Sequence, residues 1–430
     1  MHTIRTLRMS GIEPEGMSEP VAESSSSQIL PKRWLNRGVL GIGLTSLFSD
    51  WSHEAATSIL PTFLASLGAP AVALGMIEGV SDGLSSFAKL AGGFVADRPR
   101  WRKPAGIVGY LMTALTTFGY AFARSWPALL VLRGLGWMGR GSRGPARDTL
   151  LADCVAPGEQ GRAFGFERAM DTLGAVLGPL SATLLLGTLG LRGLLRWTLL
   201  PGLVALVSFV FLVPSAKGAA GDASGNISRS FASSIAQVPR SFWFFLAGVF
   251  AHGIGDFAPT LLILRASQIL TPRFGVGRAA AISVGLYTFH NLVDAAASYP
   301  TGALGDRIGK RGLLVTGYLI GVVTYAGFIF ARPTLLVLVV LFGLAGMHDA
   351  FQQSLEKSLA AELLPRPLRG SGFGVLAAAN GVGDLVSSVV VGALWSAVSP
   401  AAGFLYAGIF AATGAAIISL GSPGSRKRGP

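Results

Sequence analysis

Long apolar runs, each about the length that crosses a bilayer as a helix, follow one another along almost the whole chain. Counting about 20 apolar residues per crossing predicts transmembrane helices over 38–66, 70–96, 104–123, 127–150, 161–186 and 193–213. A second six follow over 241–266, 279–305, 312–331, 333–362, 370–396 and 400–420. Between the two sets lies a stretch rich in Gly, Ala and Ser with no apolar run, a composition suited to a flexible linker. The pattern predicts an all-α membrane protein with twelve crossings. A polar N-terminal tail (1–36), expected to be disordered, precedes a six-helix half (37–213), a linker (214–240), a second six-helix half (241–421) and a basic tail (422–430).

Polar positions inside these runs fall in a pattern of their own. Span 1 carries Asp50, His53 and Glu54, span 2 Glu78, Asp82 and Lys89, span 4 Arg133 and Arg140, and span 5 Glu167, Arg168 and Asp171. In the second set, span 7 carries His252 and Asp256, span 8 His290 and Asp294, span 10 His348 and Asp349, and span 11 Asp384. Spans 3, 6, 9 and 12 have no interior charge. A charge in hydrocarbon costs about 2.5 to 3.5 kcal/mol even on the lenient insertion scale, so the charged spans should face a shared interior and the other four the lipid. Helical spacing agrees: Glu78, Asp82 and Lys89 lie within about 40° of one another at 100° per residue. Arg133, Arg140 and Arg147 form a second stripe, and Glu167, Asp171, Gly174 and Gly178 a third.

Two short motifs then repeat. Gly93-Phe-Val-Ala-Asp97-Arg98 with Arg102 and Lys103 closes span 2, and Gly302-Ala-Leu-Gly-Asp306-Arg307 with Gly309, Lys310 and Arg311 closes span 8; 306 minus 97 is 209. Gly161-Arg-Ala-Phe164-Gly165 opens span 5 and Gly370-Ser-Gly-Phe373-Gly374 opens span 11; 374 minus 165 is again 209. One offset shared by two unrelated motifs indicates duplicated six-helix halves, a parallel repeat about an axis normal to the membrane.

The Gly-Asp-Arg motif resembles the signature loop of the major facilitator superfamily, found between helices 2 and 3 and again between helices 8 and 9. In the first copy Arg100 stands where that signature has a glycine. Arg133 in Leu132-Arg133-Gly134-Leu135-Gly136 is similar to the superfamily's helix 4 signature, where an intramembrane arginine is implicated in proton coupling. Gly174-Ala-Val-Leu-Gly178-Pro179 resembles the helix 5 signature of the antiporter branch, although its later glycine is absent. The resemblance covers 38–420. It implies a proton-driven carrier of a small solute, most simply an exporter, acting as a monomer in a bacterial inner membrane, with Asp97 and Asp306 as gates paired with arginines on the cytoplasmic face.

Composition sets the remaining limits. Half the residues are hydrophobic (51%), only 13% are charged, and glycine reaches 58 of 430, as in glycine-tolerant transmembrane bundles. The formal charge of +13 gathers at span ends rather than in an aromatic-rich basic patch, so it reads as orientation charge and not as a nucleic-acid surface. One set of loops holds Arg33, Arg37, Arg98, Arg100, Arg102, Lys103, Arg162, Arg307, Lys310, Arg311, Arg366 and Arg369, and the other only Arg124, Arg192, Arg196, Arg265, Arg273, Arg278 and Arg332. Both termini are thus expected in the cytoplasm. No apolar stretch near the start ends in a cleavage site, so no removable signal peptide is expected. A single cysteine, Cys154, excludes an intrachain disulfide framework. His53, His252, His290 and His348 sit on different spans without ligand spacing, so no metal is expected, nor any cofactor. Nothing assembles a nucleophile, base and orienting group, so no enzyme is expected either.

For proton coupling the candidates are Asp50, Glu54, Glu78, Asp82, Arg133 and Asp171. Asp50 and Glu54 lie one turn apart and repel when both are ionised, an arrangement suited to holding a proton; Glu78, Asp82 and Lys89 serve equally as a static ion pair. His53, Arg140, Asp256, His290, Asp294, Asp349 and Asp384 are candidates for the cavity wall. Gly144 and Pro145 are expected to break span 4, leaving Arg143 and Arg147 near the cytoplasmic mouth. There they could latch to Asp97 or Asp171, or attract an anion. Two other functions fit the same residues: an importer of a siderophore or nutrient, and a sensor or assembly protein that has given up transport.

Overall fold

The computed structural model describes residues 33–215, 231–331 and 334–421. Most of the N-terminal tail, the middle of the linker and the basic tail, with the orientation charges expected there, fall outside the described residues, as do the side chains of Glu78 and Asp82. Thirteen of fourteen α-helices build the twelve crossings among these residues. The first half comprises α1 (Arg37–Ser66), α2 (Ala71–Ala96), α3 (Pro99–Gly119), α4 (Trp126–Asp153), α5 (Gln160–Trp197) and α6 (Leu199–Leu212). A short α7 (Phe231–Ala236) leads to α8 (Arg240–Gly253), α9 (Thr260–Phe274), α10 (Val276–Ile308), α11 (Lys310–Ile329), α12 (Leu335–Leu363), α13 (Arg369–Ala397) and α14 (Pro400–Leu420).

The structure departs from the sequence expectation in two places. Crossing 7 is split into α8 and α9 around Gly253, Gly255 and Pro259. A break in the membrane needs partners for the freed backbone, and here Ala258 N donates to Ser388 Oγ at 3.2 Å. Crossing 4 is not broken at Gly144-Pro145: α4 continues to Asp153 with Pro145 inside it. Its close packing on α2, where Gly141 lies against the Ser85 carbonyl, holds the helix through a residue that would end it in isolation. Crossings 5 and 6 are separated by a bend at Gly190 (φ 65°, ψ 174°), a left-handed backbone that glycine adopts freely.

Helices α3, α6, α11 and α14 form the outer positions. Val108, Leu111 and Leu115 on α3, Leu200, Leu203, Val207 and Phe211 on α6, Leu319 and Val323 on α11, and Leu405 and Ile409 on α14 are exposed at three- and four-residue spacing. They form the lipid-facing stripes that the absence of interior charge predicts.

Three apolar cores show how the halves meet. Near the end carrying the basic motifs, one continuous core joins Val39, Leu151, Phe164 and Phe209 of the first half to Phe242, Leu314, Leu355 and Phe373 of the second. Phe164 and Phe373 are equivalent under the repeat, since 373 minus 164 is 209, and their rings lie 5.8 Å apart. Toward the opposite end the halves have separate cores, around Ile59, Phe63, Tyr120 and Leu194 in one and Phe257, Leu270, Phe328 and Phe404 in the other. The molecule is closed at its basic end.

Candidate functional site

Two crossings close the basic end, α2 on α13 and α5 on α10, and each is the other's image under the repeat. Gly93 lies against Gly370 and Gly374, and Gly302 against Gly161 and Gly165, so close that a Cβ at Gly93 would stand 2.6 Å from the Gly370 carbonyl. Small residues let the backbones approach. That approach delivers each motif aspartate to a helix N-terminus of the opposite half. Asp97 accepts from Ser371 N at 2.9 Å and from Ser371 Oγ, at the start of α13. Asp306 accepts from Gly161 N at 2.8 Å and Arg162 N at 2.9 Å, at the start of α5. A carboxylate there meets unpaired N–H groups and the positive end of the helix dipole. Of the expected pairings with arginines, Asp306 has one across the interface, with Arg162 at 3.9 Å, beside its backbone donors, while among the described residues Asp97 is held by the Ser371 N–H and hydroxyl.

The basic residues of each motif divide three tasks. Arg102 donates to Asp153 at 2.7 Å, which Arg369 also engages at 2.8 Å; in the other copy Lys310 lies 3.1 Å from Asp306 and also pairs with Glu362. Lys103 donates to the Val210 and Val213 carbonyls, both at 2.7 Å, at the end of α6, and Arg311 to the Ile418 carbonyl at 2.6 Å near the end of α14. These cations satisfy C-terminal carbonyls and oppose the dipole. Arg98 and Arg307 are exposed, Arg98 over the Phe94 ring. The glycine missing from the first copy is not needed: α3 begins at Pro99 directly after Arg98, whereas α10 ends on Gly309 with φ 108°. The two latches are unequal. Lys310 touches Asp306 directly, while burial pushes the Asp97 carboxyl above its ordinary range against the pull of its Ser371 donors and Arg102.

Above the latches lies a charged interior. Asp50 pairs with Arg140 at 2.8 Å, so the interior answers the Asp50–Glu54 repulsion with a guanidinium. Arg147 pairs with Glu167 at 2.7 Å and Asp148 at 3.0 Å and approaches Asp171 at 4.0 Å. Arg143 is buried, donating to Ser49 at 2.6 Å with its guanidinium 4.0 Å from the Tyr110 ring centroid. Neither arginine stands free at the mouth, because α4 carries them into the bundle. Arg133 is 1% exposed, reaching Thr57 at 3.4 Å and lying over the Trp137 ring; His53 lies edge-on to that ring and 3.4 Å from Thr57. Gly174 and Gly178 sit against α1 beside Leu47 and Glu54, so that motif, with Pro179 following it, packs helices within the first half.

Contacts between the halves continue here. Arg168 on α5 meets Asp294 on α10 at 2.6 Å, and Thr172 and Ser298 also donate to Asp294, whose side chain is fully buried. Lys357 on α12 lies 3.8 Å from both Asp148 and Glu167. Within the second half His290 pairs with Asp349 at 3.2 Å, Gln352 donates to Asp256 at 3.0 Å, and Tyr318 and Asn380 donate to Glu356 at 2.6 and 3.0 Å. A cavity of about 230 Å³ is lined by Lys89, Asp148, Asp256, Gln352, Glu356, Asp384 and neighbours. Its wall sets these charged and amide groups beside Phe373 and Leu376, the mixed surface an amphipathic or polar solute needs. The described residues contain no cluster of metal-ligating side chains.

Asp153, Glu356, Lys357, Glu362 and Ser371 were not singled out from the sequence. The repeat offset carried the signal for two of them: 356 minus 147 and 357 minus 148 are both 209, so Glu356-Lys357 stands where the first half has Arg147-Asp148, with the charges reversed. Cys154 supplies a check on the closed end. Burial, with Asp153 beside it, pushes its thiol up to about 12, and thiolate is the reactive form. At pH 8 the folded protein should resist maleimide while the unfolded chain labels fully; rapid labelling of folded protein would mean that this end is open.

Two six-helix halves around a polar core, sealed at one end by paired helix-terminus latches, have the architecture of an alternating-access carrier. The Major Facilitator Superfamily profile matches residues 42–287 and 266–430, and the chain belongs to that family of multi-pass membrane transporters. It is 28% identical over 381 residues to an uncharacterized MFS-type transporter of Methanocaldococcus jannaschii, spanning 88% of this chain and 93% of that one. An uncharacterized protein of Mycobacterium tuberculosis is 29% identical over 393 residues, spanning 88% and 92%. Among solved structures, the fucose:proton symporter of E. coli superposes with a TM-score of 0.71 at 15% identity, covering 90% of this chain and all of that one. That likeness shows the fold alone.

Proposed function

We propose that this protein exports a small polar solute in exchange for protons, its two halves rocking about the central cavity. The latched basic end is the observation that carries the reading: two helix-terminus locks bind the halves at that end, while at the other the halves keep separate cores. In this reading the basic end faces the cytoplasm, as the distribution of Lys and Arg favours, and both termini lie there. The structure is then open outward, and the latches must release for the solute to enter from inside. Asp50, Glu54, Glu78, Asp82 and Asp171, with Arg133, belong to the coupling apparatus. In the first half Asp50 and Asp171 face guanidinium groups, and a proton bound in the cavity would let those pairs change partner. The fifth-helix glycine motif supports export over import.

The test compares wild type with Asp97→Asn at matched expression in a bacterial strain lacking its major efflux pumps, across toxic compounds and siderophore-like antibiotics. Resistance given only by wild type is expected. Sensitisation given only by wild type would reverse the direction and indicate uptake. No difference on any compound, with both proteins folded in the membrane, would favour the sensor or assembly reading.

A further inference from the structure

The interior acids differ in what holds them. In the first half Asp50, Asp148, Glu167 and Asp171 face guanidinium groups, and Asp294 takes Arg168 across the interface. Glu356 is 2% exposed and is held only by neutral donors, the Tyr318 hydroxyl on Oε1 and the Asn380 amide on Oε2. No cation among the described residues lies within ion-pair distance of it. The repeat sharpens the contrast: Arg147 and Asp171 of the first half correspond to Glu356 and Asn380 of the second, since 380 minus 171 is also 209. A cation–carboxylate pair in one half is a carboxyl–amide pair in the other.

We infer that Glu356 is the carboxyl that binds the transported proton, an assignment that rests on the proton-coupled reading above and locates its site. A buried carboxylate without a counter-charge is costly; Glu356 and Asp256, which takes only the Gln352 amide, both line the cavity without an ion-pair partner among the described residues, and Glu356 is the more deeply buried of the two. Its surroundings suit both states. When a proton from cavity water bonds to Oε2, the Asn380 amide can turn to present its oxygen as acceptor while Tyr318 still donates to Oε1. When the proton leaves to water, both groups donate to the carboxylate.

The groups around the site leave room for this exchange. Lys357, next along α12, is turned to Asp148 and Glu167, and Asp256 takes the Gln352 amide. Lys89 from α2, Asp148 from α4 and Asp384 from α13 line the same cavity. Behind Tyr318, His252 stacks at 3.8 Å between ring centroids, with His348 another 5.1 Å on. Both His252 nitrogens and Nε2 of His348 are buried without a hydrogen-bond partner among the described residues. Buried unsatisfied groups are rare in cores shaped for stability alone, so this pocket is polar beyond what packing needs.

Infrared difference spectroscopy of the full chain in detergent micelles, titrated through neutral pH without substrate, tests the assignment. The carbonyl stretch of a protonated carboxylic acid is expected in wild type, in Asp50→Asn and in Asp171→Asn, and it should be lost in Glu356→Gln. Tyr318→Phe, which keeps the carboxyl, should move the midpoint of the band, guarding against a Glu356→Gln protein that fails to fold. A band that survives Glu356→Gln, or its absence from wild type, overturns the site. Loss of the band in Asp50→Asn instead would overturn it and leave proton coupling standing, with the proton in the first half. If the band is lost in Glu356→Gln yet wild-type resistance survives a protonophore, the proton site stands and the proton-driven reading falls.

Discussion

Asp306→Ala opens the basic end while leaving the protein folded. This substitution removes the acceptor of two backbone donors at the start of α5 and the direct partner of Lys310. Hydrogen bonds to a charged acceptor are worth about 1.5 to 3 kcal/mol each, and the two from α5 cross between the halves, so their loss falls only on the latched state. The ratio of closed to open basic end should therefore drop by a hundredfold or more, at about 1.4 kcal/mol per factor of ten. Asp97→Ala should act in the same direction and less strongly, because Asp306 also meets a cation of the opposite half, Arg162 at 3.9 Å, and Asp97 has no such ion pair among the described residues. Spin labels at Leu184→Cys on α5 and Val284→Cys on α10, both exposed positions, read the result in a Cys154→Ser background. The distance between them should shorten in Asp306→Ala as the opposite end closes. An unchanged distance distribution would mean that the latch does not govern the equilibrium.

Arg168→Met destabilises the protein by about 3 to 5 kcal/mol, because it leaves the Asp294 carboxylate fully buried with only Thr172 and Ser298 to answer it. Replacing both members, as Arg168→Met with Asp294→Leu, should recover most of that loss, since a buried ion pair is often no better than apolar groups of similar size. Thermal unfolding in detergent, compared across both single variants and the double, measures it. Equal destabilisation of the double and the single would show that the site needs the charges for packing geometry and not merely for mutual compensation.

The crossings and the polarity of each helix were legible in the sequence, because bilayer thickness fixes helix length and the cost of buried charge fixes which faces meet. The duplication was legible too, through one offset shared by two motifs. What the motifs do to each other was not. Asp97 and the Gly370 stretch looked like separate signatures, yet they are the two sides of one contact, and Asp306 with Gly161 is the other copy of it. The partners there are mainly backbone N–H groups, which no side-chain pattern announces. The basic clusters likewise looked like orientation charge, and only the structure separates the acid-pairing residues Arg102 and Lys310 from the helix-capping Lys103 and Arg311. The break in crossing 7 and the continuity of α4 were missed for a related reason: tertiary packing decides whether a proline ends a helix, and local propensity does not.

The reversal of charge between Arg147-Asp148 and Glu356-Lys357 has a consequence for how such a chain is assembled. Lys357 meets Asp148 and Glu167 across the interface. Two copies of the first half, placed face to face in the same way, would set Asp148 against Asp148 and against Glu167. Two copies of the second half would set Lys357 against Lys357. Neither half can close on a copy of itself without like charges meeting in a buried core, so in physical terms the protein is an obligate heterodimer whose subunits share one chain. The linker guarantees the only pairing in which those charges are matched.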